Sequence, residues 1–229
     1  MLFKKTCLQP LKDRGPLRVM FVTTSMPVGG AETLLVSLVR GLDRSRFSPE
    51  VCCLKELGLL GHALAGESPV HGGLLAGKYD VRVLGRLARL FRERRTDVVV
   101  TVGAGDKMFW GRLAARRARV PVVLSALHST GWPDGVGRLN RRLTRWTDQF
   151  IAVAQGHARY LAEYEDLPTE KITVIPNGVD TDAFCPRATS REATRREMGV
   201  SPDAPLFGMV AALRPEKNHL LFLRAAALI

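Results

Sequence analysis

Short apolar runs alternate with amphipathic stretches along most of the chain. Residues 17–23 form an apolar run rich in β-branched residues, which predicts a buried strand. Residues 31–41 carry leucines and valines at helical spacing and end at a glycine, which predicts a helix. The same reasoning predicts further strands at 51–54, 97–102, 121–126, 149–153 and 171–175, with a short candidate at 70–71, and further helices at 81–95, 106–117, 139–146 and 156–165.

Strands that alternate with helices of this length favour parallel pairing through right-handed crossovers. The helix predicted at 81–95 supports this interpretation, because its apolar residues share one stripe while six arginines lie elsewhere. The expected fold class is therefore α/β, with a Rossmann-like, doubly wound parallel sheet.

The domain organisation follows from where the alternation of predicted strands and helices stops. Residues 1–16 are a polar leader, and 17–187 are expected to form one Rossmann-like domain. A polar, charged linker with one short helix is predicted at 188–204. Residues 205–229 then offer a strand at 205–212, a turn, and the start of a helix. One strand and one helix cannot cover both faces of a sheet, so we expect this stretch to open a second, truncated α/β domain.

Composition excludes several classes of protein. The net charge of +12 leaves two explanations open, an anionic partner or a general preference for arginine. The four cysteines show no C-x-x-C pair, which predicts free thiols and neither a metal site nor a disulfide framework. The N-terminus has lysines but no apolar run after them, so we expect a cytoplasmic protein whose membrane contact would be peripheral.

Three loops at the ends of predicted strands could carry chemistry, because ligands of open α/β sheets bind there. Gly29 and Gly30 lead into a helix whose N-terminal N–H groups could face an anion. His128 follows a strand and could hydrogen-bond a sugar or polarise a leaving group. Arg214 and Lys217 lie on a turn that could clamp a diphosphate. Each also has a purely structural interpretation. The glycines could form a tight turn, His128 could hydrogen-bond within the protein, and Arg214 and Lys217 could lie on a solvated charged turn.

A cluster of four arginines occupies the predicted helix at 139–146 and the residue before it. Its members, which fall close to one helix face, are Arg138, Arg141, Arg142 and Arg145. They could touch lipid headgroups or a polyanionic acceptor, or simply be solvated. Among the other histidines, which are His62, His71, His157 and His219, none has metal-ligand spacing with His128. No nucleic-acid-binding module is recognisable.

Residues 174–186, which read VIPNGVDTDAFCP, closely resemble the segment with which the retaining glycosyltransferases of family four leave their first domain. Residues 210–218 (VAALRPEKN) are similar to that family's donor-binding turn, and the resemblance covers about residues 17–229. It implies a GT-B fold, in which two Rossmann-like domains flank a cleft. It also implies donor-diphosphate or acceptor contact at Gly29 and Gly30, a donor-sugar contact at His128, and a diphosphate clamp at Lys217.

The chain departs from the family's pattern at two points. The family turn carries its basic residue where this chain has Ala212, so Arg214 would be a substitute two positions later. The family's paired-glutamate motif and its pockets for the donor base and ribose would lie beyond Ile229.

The resemblance implies transfer of a sugar from a nucleotide-diphosphate sugar to an acceptor hydroxyl, such as a glycan or a lipid-linked acceptor. It implies retained configuration and no metal or other cofactor, because fixed donors and cations could stabilise the leaving group. One alternative is a non-catalytic module that binds a carbohydrate or lipid-linked acceptor and lacks the donor site. Another is a different Rossmann-type enzyme, such as a dehydrogenase or epimerase, although the dinucleotide fingerprint is missing after the first strand.

Overall fold

Seven parallel strands form one sheet in the residues that the computed structural model describes, which are 15–77, 79–103, 105–128 and 141–228. The strands are β1 Leu17–Thr23, β2 Phe47–Cys53, β3 Val70–His71, β4 Val98–Val102, β5 Val122–Ala126, β6 Gln149–Ala152 and β7 Ile172–Val174. The helices are α1 Gly30–Gly41, α2 Gly58–Leu64, α3 Val83–Glu93, α4 Asp106–Ala118, α5 Gln155–Glu163, α6 Ala188–Glu197 and α7 His219–Ala226.

The strand order is β3-β2-β1-β4-β5-β6-β7, so the chain winds outward from β1 in one direction and from β4 in the other. All six strand pairings are parallel. The doubly wound, Rossmann-like class predicted from the sequence is therefore confirmed. The order reverses between β1 and β4, and ligands of open α/β sheets bind at such a switch point.

Alternate residues of the central strands supply two separate hydrophobic clusters. In β1, Met20 and Val22 pack with residues of α3 and α4, whereas Val19 and Phe21 pack with residues of α1 and α2. The period of two in a strand places successive side chains on opposite faces. The adjacent cysteines follow the same rule, because Cys52 belongs to the first cluster and Cys53 to the second.

Helix α4 packs unusually close to the sheet through Gly111. A Cβ at this position would lie 2.6 Å from Thr101 Cγ2 on β4 and 3.6 Å from Val22 Cγ1 on β1. Contacts this short leave no room for a side chain. Gly111 therefore sets the distance between α4 and the two strands at the switch point.

Several element predictions need correction. The structure has no strand at 205–212, where Phe207 and Val210 are exposed, because no described segment pairs with this stretch and a strand needs a partner for its ladder. Strand β2 begins earlier than the predicted residue 51, and α2 was not predicted. Of the helix predicted at 139–146, residues 141–143 are helical and Thr144–Trp146 form a 3-10 turn, while 139 and 140 lie outside the described residues.

The chain divides into two compact units between Gly178 and Val179. The first contains the sheet. The second contains α6, which Arg195 ties to the following loop by donating hydrogen bonds to the carbonyls of Ser201 at 2.6 Å and Ala204 at 2.9 Å. The short helix predicted in the linker is thus present. None of the described helices is both long enough and apolar enough to cross a bilayer.

Candidate functional site

The carboxyl ends of β1, β4, β5 and β6 lie side by side at one edge of the sheet. Helices α1 and α4 leave this edge from the two strands at the switch point, and they cover opposite faces. Their N-terminal turns both begin at glycines, Gly29 and Gly105. The first N–H groups of a helix have no intrahelical partner and attract anions.

The glycine loop after β1 leaves the start of α1 open. Gly29 is the N-cap residue in an extended conformation, and no side chain caps the helix there. Gly30 is exposed, and a Cβ on it would meet nothing within 4 Å. The carboxylate of Glu32 folds back over Gly29, where a Cβ would collide with it. A ligand can therefore approach the backbone at Gly30, and Glu32 places a negative charge beside that approach.

The loop after β4 was not predicted as part of the site, yet it carries a cation to the same edge. Gly103 and Gly105 have φ of +88° and +85°, a conformation that glycine tolerates and other residues avoid. The side chain of Lys107, in the first turn of α4, folds back over Gly103, where a Cβ would lie 2.7 Å from Lys107 Cε. The β4 loop thus holds an ammonium group at the switch point.

His128 lies two residues beyond β5 and is anchored by its neighbour. Leu127 is buried, and its N–H donates to the carbonyl of Ile151 on β6 at 2.9 Å. The pKa of His128 is lowered by burial first, then by His157 and Lys107, while Glu32 raises it. Its ring is therefore neutral at pH 7. The groups that act on its pKa belong to three helices, with Glu32 on α1, Lys107 on α4 and His157 on α5.

His157 is the residue on α5 that shares this environment. It is 8% exposed, and its Nδ1 accepts the N–H of Val153 at 3.3 Å, across the N-terminus of the helix. Burial lowers its pKa as well. Within the described residues, His128 Nδ1 and His157 Nε2 are buried without a hydrogen-bond partner. Buried polar atoms normally have partners, so these two nitrogens mark a place where a bound group fits.

The two cationic candidates belong to the second unit. Arg214 is exposed and lies 4.0 Å from the carboxylate of Glu216, with Lys217 exposed on the 3-10 turn that follows. Asn218 adopts the left-handed conformation, and its side chain accepts the N–H of Leu221 at 3.2 Å to cap α7. Both basic side chains are therefore accessible at the start of a helix, and their role in diphosphate binding stays a prediction.

The predicted basic surface is partly described. Arg141, Arg142 and Arg145 are exposed, whereas Arg138 lies outside the described residues. Arg145 stacks over Trp146 with its guanidinium carbon 4.4 Å from the ring centroid. Stacking of this kind leaves the guanidinium edge available for anions. The described residues contain no cluster of three or more metal-ligating side chains.

Comparison with known proteins assigns the family. The family model described as Glycosyltransferase Family 4 matches residues 28–183, more than half of the chain. The chain belongs to glycosyltransferase family 4. The matched range contains the glycine loop and His128, and membership separates this protein from the nicotinamide-dependent dehydrogenases considered above.

Similar proteins cover the chain well. EpsF of Bacillus subtilis (strain 168), named as a glycosyltransferase, is 26% identical over 92% of this chain and 58% of its own length. An Escherichia coli enzyme, UDP-Gal:alpha-D-GlcNAc-diphosphoundecaprenol alpha-1,3-galactosyltransferase, is 28% identical over 66% of this chain and 41% of its own. The chain thus spans between two fifths and three fifths of the length of these relatives.

A solved structure shares the fold. The crystal structure of HepE of Anabaena with UDP and glucose covers 93% of this chain and 58% of HepE, with a TM-score of 0.77 and 18% identity. This likeness shows that the chain has the fold of a GT-B glycosyltransferase. The GT-B resemblance inferred from the sequence is confirmed at the level of the fold.

The structure joins some of the candidates that the sequence proposed and adds others. Gly29, Gly30 and His128 come to one edge of the sheet, as expected from strand-end loops. Lys107 and His157 were missed, because neither lies in a recognisable motif. The pair of glycines at Gly103 and Gly105, directly after a strand, was the signal that could have pointed to Lys107.

Proposed function

We propose that this protein transfers a sugar from a nucleotide-diphosphate sugar to an acceptor hydroxyl. The observation that carries the proposal is the convergence of the open N-terminus of α1 and His128 at the switch point, within the range that matches the glycosyltransferase family. A helix N-terminus suits a phosphate or a developing oxyanion, and a neutral histidine suits a sugar hydroxyl.

The names of the similar proteins support the choice of substrates. HepE was crystallised with UDP-glucose, and the Escherichia coli relative uses UDP-galactose with an acceptor linked to diphosphoundecaprenol. We therefore propose a UDP-sugar as donor and a lipid-linked glycan as acceptor. The net charge of +12 fits both substrates, since each carries a diphosphate.

The finer mechanism is also a proposal. Lys217 and Arg214 would neutralise the diphosphate as it leaves, so that fixed cations do the work a divalent ion does in other transferases. The N–H groups at Gly30 would hold a phosphate or orient the acceptor, and His128 would bind a hydroxyl of the donor sugar. We further propose that the sugar keeps its anomeric configuration.

A transfer screen of the complete gene product tests the proposal. UDP-glucose, UDP-galactose and UDP-N-acetylglucosamine are offered with a lipid-linked acceptor, with and without EDTA. We expect one donor to be consumed, a retained anomeric configuration by NMR of the product, and activity that survives EDTA. Binding of the lipid-linked acceptor without binding or turnover of any UDP-sugar would favour the non-catalytic module, and absence of donor turnover under every condition would contradict the proposal.

Peripheral membrane contact through the basic surface is proposed as the means of reaching a lipid-linked acceptor. Arg141, Arg142 and Arg145 are exposed together, and cations near an anionic bilayer gain about 1 kcal/mol each. Sedimentation with phosphatidylglycerol vesicles should fall when these three become glutamine. The matched control replaces three exposed arginines of the α3 region, Arg82, Arg89 and Arg92. Equal loss in both variants would indicate a non-specific charge effect.

A further inference from the structure

The buried histidine of α5 has a fixed tautomer. The N–H of Val153 donates to His157 Nδ1 at 3.3 Å, so this nitrogen carries no proton. Burial lowers the pKa of His157, which keeps the ring neutral. A neutral imidazole with a bare Nδ1 has its proton on Nε2, and His157 therefore presents an Nε2–H donor.

This donor is held inside the protein with no described partner. His157 is 8% exposed, and its Nε2 is buried without a hydrogen bond to any described residue. Leaving a buried donor unpaired is unfavourable, and such atoms in native proteins usually face a bound ligand or water. The arrangement is built by the fold, since α5 begins directly after β6 at the same edge as His128.

His128 offers a second unpaired nitrogen at the same edge of the sheet. Its Nδ1 is buried without a partner in the described ranges, and His157 is near enough to lower its pKa. A group that contacts both nitrogens would accept from His157 Nε2–H and pair with His128 Nδ1 in whichever tautomer that ring adopts. A hydroxyl can both donate and accept, so it satisfies either case.

We propose that His157 is a substrate-binding residue whose Nε2–H donates to a hydroxyl of the donor sugar, which His128 Nδ1 also contacts. The inference rests on the proposed function only in identifying the hydroxyl as that of a sugar. The other charged groups that act on His128 are Glu32 and Lys107, which belong to the turns at the starts of α1 and α4. The hydroxyl subsite therefore lies beside the proposed phosphate-binding turn of α1.

Two isosteric substitutions separate this role from a structural one. In His157→Asn the side-chain oxygen replaces Nδ1, so the bond from Val153 is kept and the buried donor is lost. In His157→Gln the amide nitrogen replaces Nε2, so the donor is kept and the bond from Val153 is lost. A ligand-binding role and a helix-capping role predict opposite results for the two variants.

The experiment measures the affinity for UDP-glucose, UDP-galactose, UDP-N-acetylglucosamine and UDP by calorimetry, together with thermal unfolding. We expect His157→Asn to lower the affinity for the preferred UDP-sugar about tenfold, as for one lost hydrogen bond, and to leave that for UDP unchanged. His157→Gln should retain most of the sugar affinity and unfold at a lower temperature.

The outcomes that overturn the inference are distinct from those that overturn the proposed function. If the unmodified protein discriminates a UDP-sugar from UDP and His157→Asn does so equally well, His157 Nε2–H does not bind the sugar hydroxyl. Nε2 then hydrogen-bonds a structural water. If the unmodified protein binds none of the three UDP-sugars, the proposed function fails, and the inference fails with it.

Discussion

Arg94 forms a bidentate ion pair with the carboxylate of Glu50. Its Nε lies 2.8 Å from Oε2, and its Nη2 lies 2.8 Å from Oε1. His71 Nε2 lies 2.8 Å from the same carboxylate. Glu50 is 5% exposed on β2, His71 belongs to β3, and Arg94 follows α3. The carboxylate therefore joins the edge strand β3 and the end of α3 to the neighbouring strand β2.

Removing this charge should destabilise the first unit. Glu50→Gln leaves Arg94 and His71 without their anionic partner, and we expect a loss of about 1–3 kcal/mol in the free energy of unfolding, measured by urea denaturation. The control is Glu67→Gln, which breaks an exposed pair with Arg40 and should change stability little. Equal effects in the two variants would contradict a special role for the buried carboxylate.

The contribution of Glu50 should depend on pH in a defined direction. Burial would raise the pKa of Glu50, but hydrogen bonds from Arg94 and His71 outweigh it and hold the pKa below its ordinary value. A carboxylate with a lowered pKa stabilises the folded state above its ordinary pKa and loses that effect as the pH falls through the lowered one. The difference between the protein and Glu50→Gln should therefore shrink below about pH 4.

Gly111 should tolerate no side chain. Gly111→Ala would press a methyl group against Thr101, and we expect a loss of about 1–3 kcal/mol in stability from overpacking. Gly85→Ala on α3 is the matched control, since a Cβ there meets nothing within 4 Å. That variant should gain up to about 1 kcal/mol from helix propensity. A stable Gly111→Ala would show that α4 can move away from the sheet.

Gly30→Ala tests whether a ligand approaches the α1 backbone. The added methyl group meets no protein atom within 4 Å, so stability should be unchanged. A tenfold or greater loss in kcat/KM for sugar transfer is expected, about 1.4 kcal/mol, because the methyl group would displace the phosphate or acceptor. Gly41→Ala at the other end of α1 has equal space and should keep full activity. Full activity in Gly30→Ala would show that Gly30 forms a turn and contacts no ligand.

His128→Ala should reduce turnover more than stability. We expect kcat/KM to fall at least about tenfold through loss of a substrate hydrogen bond, with a small change in melting temperature. His62→Ala, which removes an exposed histidine on α2, is the control. Normal rates in His128→Ala would show that His128 is structural.

The loss of activity at low pH should result from protonation of His128. Burial, His157 and Lys107 lower its pKa, so the ring stays neutral to below the ordinary value of about 6.5. Activity that needs a neutral His128 should therefore persist at pH 6.5 and fall only at lower pH. A fall centred above pH 6.5 would contradict this assignment.

Lys217→Ala should weaken binding of the nucleotide diphosphate. Loss of one phosphate contact is expected to raise the Kd for UDP about tenfold, since hydrogen bonds to charged groups contribute about 1.5–3 kcal/mol. Arg224→Ala removes an exposed cation from the last turn of α7 and is the matched control. Unchanged affinity in Lys217→Ala would show that the clamp assignment is wrong.

The amino-acid sequence by itself determined the class of fold and the position of its strand-end loops. Runs such as 97–102 and the stripe of 81–95 record local periodicity, which depends only on neighbours along the chain. The strand predicted at 205–212 is wrong for the same reason, since an apolar run does not contain the partner that a strand requires.

Only the tertiary structure decided which side chains share the site. His157 is 29 positions from His128 in the numbering, and Glu32 and Lys107 lie in the first turns of α1 and α4, yet all three act on the pKa of His128. Their proximity follows from the strand order β1-β4-β5-β6, which is fixed by pairing between distant segments. Local patterns carry no record of that pairing, so the sequence proposed His128 and the glycine loop, and the fold added Lys107 and His157.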